Sequence, residues 1–230
     1  MDSKERYTGK SGETYQSAKR GIPDAALPWV TRSRAAKLQG YVQSQDTVFE
    51  YGVGLGWNLG ELRCKRRLGH DLGLFLAESV EALGIEFVPD PARLEDETAE
   101  VVVCHHTLEH VPDPLEVLAQ CLRILRVGGC LLLFVPFEKE RRYRHFDPTE
   151  PNHHLFSWNA QTLGNLASDA GFELRDVRIG PFGYDRFAAV WAHRMRLGEW
   201  GFRWLRRLLL GIRPAQEVRL VATKPKNKVT

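Results

Sequence analysis

Val48-Phe49-Glu50-Tyr51-Gly52-Val53-Gly54-Leu55-Gly56-Trp57-Asn58 begins like a buried strand and passes into three alternating glycines. Glycines there keep side chains out of the way of a ligand, and a helix after the turn would aim its first N–H groups at it. A bare strand-to-helix turn would use the same glycines, so the neighbouring segments must decide between the two. A dinucleotide fingerprint needs a small residue after Gly56 for close helix packing, and Trp57 stands there, which disfavours a nicotinamide reductase.

From Thr47 onward, short β-branched or apolar runs alternate with stretches of helical period, the pattern of an α/β protein with a doubly wound, seven-stranded, mostly parallel sheet. The predicted strands cover 47–51, 68–71, 85–88, 100–104, 130–135, 173–179 and 217–222. Helices are expected at 31–42, 72–83, 114–125 and 157–170, the last capped by Ser157 and stopped by Gly171. A helix is also expected directly after the glycine turn. Residues 1–46 read as an N-terminal helical cap and 47–224 as the main domain. Within that domain 186–213 forms a basic amphipathic helical insertion before the last strand, and 225–230 is a polar tail.

The 230 residues are 43% hydrophobic and 27% charged, enough for one substantial core and unlike a disordered or fibrous chain. A net charge of +3 is not that of a dedicated nucleic-acid binder. Four cysteines without a Cys-x-x-Cys pair favour a reducing, cytoplasmic setting. No apolar run reaches the length of a membrane span, and residues 1–6 lack the apolar core of a secretion signal.

The acidic-x-Gly-x-Gly-x-Gly spacing of Glu50, Gly52, Gly54 and Gly56 resembles that of class I S-adenosylmethionine-dependent methyltransferases, which implies their Rossmann-like fold and their cofactor. Three further segments extend the resemblance over about residues 48–180. Asp71, followed by Leu72, sits where the family places a carboxylate that accepts the ribose hydroxyls, a role its two oxygens suit. Asp90-Pro91-Ala92-Arg93-Leu94 looks like the loop beside the adenine, with Pro91 unusual. Leu108-Glu109-His110-Val111-Pro112-Asp113-Pro114, with Arg126-Val127-Gly128-Gly129 after the next helix, marks one large branch of these enzymes. The resemblance thus makes Glu50, Gly52, Gly54, Gly56, Asp71, Leu72, Asp90, Ala92, Leu94 and His105 cofactor-binding candidates.

Methyl transfer requires alignment of acceptor and methyl group, plus a base when the acceptor carries a proton of high pKa. His106, just past the fourth strand, is the first candidate for that base and for acceptor contact, with His110 beside it as a second catalytic candidate. His106, Glu109 and His110 could also present a metal site. Comparable segments bind a divalent ion in ubiquinone-biosynthesis O-methyltransferases and small-RNA 2′-O-methyltransferases, but local hydrogen bonding accounts for these residues, and no metal is expected. Tyr143, Arg144, His153 and His154, in the loop after the fifth strand, are acceptor-binding candidates. The insertion carries seven Arg against one Glu and an apolar side, so it could close over the site, contact another copy or rest on a membrane.

The sequence therefore reads as an S-adenosylmethionine-dependent methyltransferase acting at oxygen on a small-molecule or glycan-like acceptor. Two alternatives are a non-catalytic cofactor-binding or nucleotide-binding partner module, and a methyltransferase for a quinone- or lipid-linked acceptor at the membrane surface. No nucleic-acid partner is expected.

Overall fold

β1 (Thr47–Tyr51) runs through the middle of the sheet, with Val48, Phe49 and Glu50 fully buried. This computed structural model describes residues 3–19, 21–138, 145–148, 150 and 152–226. The other strands are β2 (Arg66–His70), β3 (Glu86–Val88), β4 (Ala99–His105), β5 (Leu125–Pro136), β6 (Glu173–Pro181) and β7 (Gln216–Thr223). They form one seven-stranded sheet in the order β3-β2-β1-β4-β5-β7-β6. β1 to β5 pair in parallel, while β7 runs antiparallel to both β5 and β6. All seven predicted strands are present. The order reverses between β1 and β4, and the crevice beyond the carboxyl ends of these strands is where open α/β sheets bind ligands.

The helices cover both faces. On one, α5 (Pro114–Ile124) buries Pro114, Val117, Leu118, Cys121 and Ile124 along a single stripe, and α6 (Ala160–Asp169) joins it there. On the other, α3 (Leu27–Gln39) and the short α4 (Ala77–Glu81) pack against Val48, Val101, Val103 and Leu132. α1 (Ser3–Tyr7) and α2 (Gly9–Lys19) precede α3, and α7 (Asp185–Arg194) and α8 (Gly198–Ile212) fill the stretch between β6 and β7.

Four expectations are corrected. No helix follows the glycine turn: residues 57–62 make successive turns, because Asn58 turns inward to Glu50 and only a short segment separates Gly60 from β2. α6 is capped by Asn159 rather than Ser157. The Asn159 side chain accepts from the Thr162 N–H at 2.9 Å while Thr162 Oγ1 accepts in return, and Trp158 is held extended in a bridge to Phe137. Gly171 (φ +96°) follows the end of α6 as expected. The segment 72–83 yields only a 3-10 turn and α4, since the Gly73 N–H is bound by Asp71 and the backbone turns there first. α3 starts at Leu27, because Pro28 in a first helical turn supplies a fitting φ and lacks only an N–H that would go unpaired.

Ile22, Ala26 and Val30 pack with Ala188, Ala189, Ala192 and Phe202, so the N-terminal cap and the insertion form one lid over the crevice. The three alanines of α7 let the backbones come close.

Candidate active site

A cavity of about 1790 Å³ opens beyond the carboxyl ends of β1, β2 and β4. Gly52 to Leu55, His70 to Leu72, and His105 to Thr107 line its floor, while Tyr7, Tyr15, Gln16, Tyr184 and Arg186 close it from the lid side. Three of the expected cofactor residues, Gly52, Gly54 and Asp71, form one hydrogen-bonded unit. The N–H groups of Gly52 and Val53 both donate to the His70 carbonyl at 2.8 Å. Asp71 Oδ2 accepts from the Gly54 N–H and Oδ1 from the Gly73 N–H, each at 2.9 Å. Gly52 has φ +81°, and a Cβ there would collide with the Thr107 side chain. The turn is shaped by strand-end carbonyls and a carboxylate in place of the helix N-terminus that the sequence suggested.

Other expected cofactor residues lie off the cavity wall. Gly56 packs beneath Leu83 and Ile85, where a Cβ would come within 3.0 Å of both side chains. Glu50 is fully buried and accepts from Asn58 Nδ2 at 2.5 Å, so it reaches the cavity only through Asn58. Burial raises the Glu50 pKa to about 8, which keeps it largely protonated at neutral pH. Asp90, Ala92 and Leu94 belong to a 3-10 turn in which Asp90 accepts from the Ala92 N–H. On that side the wall is taken by His70, whose Nδ1 lies 2.8 Å from the Val88 carbonyl. Leu72 and His105 do line the cavity.

Behind His105 and His106 is a buried charged cluster. Lys37 Nζ lies 2.6 Å from Glu217 Oε1, 3.1 Å from His105 Nε2 and 3.6 Å from the Phe134 ring centre. Burial lowers the Lys37 pKa to about 8 despite Glu217. Burial alone would raise the pKa of Glu217, but the His106 contact and the Lys37 charge outweigh it and hold the carboxyl below its usual range. His106 Nε2 is 3.3 Å from Glu217 Oε2 and its Nδ1 is 3.8 Å from Glu109 Oε1. Desolvation drops the His106 pKa to about 4, and that of His105 well below the ordinary value, so both rings are neutral at pH 7. His105 and Phe182 pack on the His106 ring, with centroids 4.5 and 4.3 Å away.

His110 and His154 meet beside them, with ring centroids 4.9 Å apart, and His110 Nε2 lies 3.8 Å from the same Glu109 Oε1 that His106 approaches. The Tyr7 hydroxyl donates to the Asn152 carbonyl at 3.0 Å, so His110 Nδ1, 2.8 Å away, is the donor to that oxygen. His154 Nδ1 likewise faces Glu138 Oε1 at 2.7 Å. The ligand atoms of Glu109, His110 and His154 lie within 4.8 Å of one another, a donor set able to hold a divalent ion. His105, His106 and Glu217 form a second such group, but Lys37 already neutralises its carboxylate.

His153 adopts φ +51° and gives its N–H to Glu150, away from the cavity wall, whereas Asn152 and His154 line it. Tyr143 and Arg144 lie outside the described residues. Sequence reasoning passed over Lys37, Glu217, Tyr7 and Tyr15. None of them had a local signal: alternation places Val218, Leu220 and Ala222 on one face of β7 and Glu217 on the other, where an acid reads as solvated, and its full burial comes from the distant Lys37 and His106 packing against it.

Asp71→Ala is expected to weaken binding of the cofactor that the sequence resemblance implies, S-adenosylmethionine, by about 1 to 3 kcal/mol, since it removes both the turn's anchor and the carboxylate facing the cavity. Calorimetric titration checks this, and unchanged affinity would remove Asp71 from the cofactor site.

A family model described as a methyltransferase domain matches residues 26–177. A relative from Mycolicibacterium smegmatis named as an S-adenosylmethionine-dependent methyltransferase is 34% identical over 89 residues, which cover 39% of this chain and 34% of that protein. A ubiquinone biosynthesis O-methyltransferase of Hahella chejuensis is 34% identical over 93 residues, covering 34% of this chain and 39% of that protein. The chain thus spans little more than a third of the length of these curated relatives. Among solved structures, an S-adenosylmethionine-dependent methyltransferase from Methanosarcina mazei shares the fold, with TM-score 0.58 and 18% identity over 83% of this chain and 98% of that one.

Proposed function

This chain belongs to the methyltransferase-domain family, and we propose that it is an S-adenosylmethionine-dependent methyltransferase that methylates an oxygen of a small-molecule or glycan-like acceptor, with His106 as the base. The observation that carries this reading is the neutral His106 at the cavity floor, with a carboxylate behind it. The O-methyltransferase name of the Hahella chejuensis relative also supports oxygen.

Bound S-adenosylmethionine supplies an electrophilic methyl group on a sulfonium, and the acceptor's electron pair takes that methyl as the sulfur–carbon bond breaks. An ionised Glu217 can only accept, so His106 Nε2 carries the ring proton and Nδ1 holds the lone pair. As the new bond forms, the acceptor's O–H becomes strongly acidic, and even a weakly basic Nδ1 removes the proton. The resulting imidazolium lies between Glu109 and Glu217. Tyr7 holds the neighbouring His110 ring in place. No helix of the described residues is long and apolar enough to cross a membrane, and four free cysteines support a reducing, cytoplasmic setting.

A second reading is favoured by the convergence of Glu109, His110 and His154: together they would hold a divalent ion, which would polarise the acceptor hydroxyl. Both readings are tested by incubating enzyme, S-adenosylmethionine and a panel of hydroxylated acceptors with and without chelator. Formation of S-adenosylhomocysteine together with a methyl ether, unaffected by chelator, is expected. Loss restored by added divalent metal would select the second reading. A product methylated at nitrogen or carbon, or cofactor binding without turnover on any acceptor, would overturn the proposal, and the latter would favour a partner-binding module.

A further inference from the structure

Trp200, Trp204, Leu208 and Ile212 recur every four residues along α8 and are 75%, 52%, 44% and 73% exposed. They are not the residues that hold the helix in place: Gly201 and Phe202 are buried, and Leu205 and Leu209 pack with them toward α3 and α7. α8 is therefore apolar on two sides, and only one is covered by the described residues. Phe187 and Trp191 of α7, with ring centroids 5.9 Å apart, and Met195 and Leu197 of the connecting turn add to the exposed apolar surface. A patch of this extent on a folded protein marks an interaction surface.

Its charge names the occupant. Arg194, Arg196, Arg203, Arg207 and Arg213 are exposed around the patch, and among the described residues Arg203 is the only one of them shown paired with a carboxylate, at 2.6 Å from Glu199. Residues 186–213 carry a net +6, twice the charge of the whole chain. A second copy seated on this face would bring like charges together. An anionic lipid surface meets both demands, because tryptophan rings suit the headgroup boundary and arginine stems extend along it to the phosphates.

The patch adjoins the cavity. Ile212, Arg213 and Pro214 line the cavity at the end of α8, and the Tyr184 hydroxyl donates to the Arg213 carbonyl at 2.8 Å. We propose that α7 and α8 seat the protein on an anionic membrane surface, so that the acceptor is the head group of a membrane-resident amphiphile entering past Ile212 and Arg213. The choice of acceptor rests on the reading of this cavity as the methylation site. The seating does not.

Co-sedimentation with vesicles of phosphatidylcholine, with or without one-quarter phosphatidylglycerol, tests the seating. Binding is expected only with the anionic lipid, weakened about tenfold or more by W200S/W204S, by R196E/R207E and by raised salt. All these positions are exposed and outside the catalytic cluster, so turnover of a soluble acceptor should be unchanged. Equal binding to neutral vesicles, no binding, or a dimer that W200S/W204S dissociates would each overturn the proposal. With native membranes and methyl-labelled S-adenosylmethionine, label is expected in the lipid extract. Label confined to water-soluble products overturns the acceptor class, whereas no label in any fraction, with vesicle binding intact, counts against the methylation reading alone.

Discussion

His106→Gln is expected to lower kcat by about 10²- to 10⁴-fold, the usual scale for a lost general base, while the Kd for S-adenosylhomocysteine changes little. The replacement removes the one nitrogen lone pair that Glu217 orients toward the cavity, yet keeps a side chain of similar reach between His105 and Phe182. Only the neutral ring can take a proton, and its pKa is about 4 because burial disfavours the cation. In the parent enzyme kcat should therefore be flat through neutral pH and fall only as pH drops through about 4, where the imidazole becomes charged. A kcat within threefold of the parent, or an acid limb that persists in the variant, would exclude His106 as the base. Glu217→Gln is a poorer probe, because it leaves the Lys37 ammonium buried without its partner, a change that typically costs about 3 to 5 kcal/mol of stability.

The second large effect concerns stability. Glu50 has a pKa of about 8 in the folded protein against 4.5 for a solvated glutamate. Below 4.5 both states are protonated; between 4.5 and 8 the unfolded chain has released the proton that the folded chain retains, so stability falls as pH rises across that window. At about 1.4 kcal/mol per pH unit the parent loses on the order of 4 kcal/mol that Glu50→Gln, which cannot ionise, keeps. The amide oxygen can still accept from Asn58 Nδ2. Glu50 Oε2 has no hydrogen-bond partner among the described residues, and placing an amide nitrogen there carries a cost that does not vary with pH. The measurement is therefore the slope: urea unfolding across the window should show the variant gaining steadily on the parent. His106 adds a loss of stability on the acid side, as pH falls from 6.5 to about 4, but it is present in both proteins and cancels. Parallel profiles would mean that Glu50 is ionised in the core.

Local chemistry made much of this legible. The three glycines, the seven strands and the capped α5 follow from residues within a few positions of one another, where turn conformation, strand alternation and N-capping act. The same short range explains the errors. Asn159 and Ser157 are comparable N-caps, and the choice between them was made by Trp158 reaching the core. The expected helix after Gly56 failed because Asn58 found a partner in Glu50.

The sequence by itself determined the sheet and the glycine turn, since both depend on short, contiguous patterns, and its family resemblance implied the cofactor. Only the tertiary structure decided what surrounds them. Lys37 and Glu217 are 180 positions apart in the chain yet form one ion pair, and His110 and His154 face each other from separate loops. It also showed which side of α8 is left uncovered. Burial shifts these pKa values, and burial is a property of what packs around a group. No local pattern encodes it.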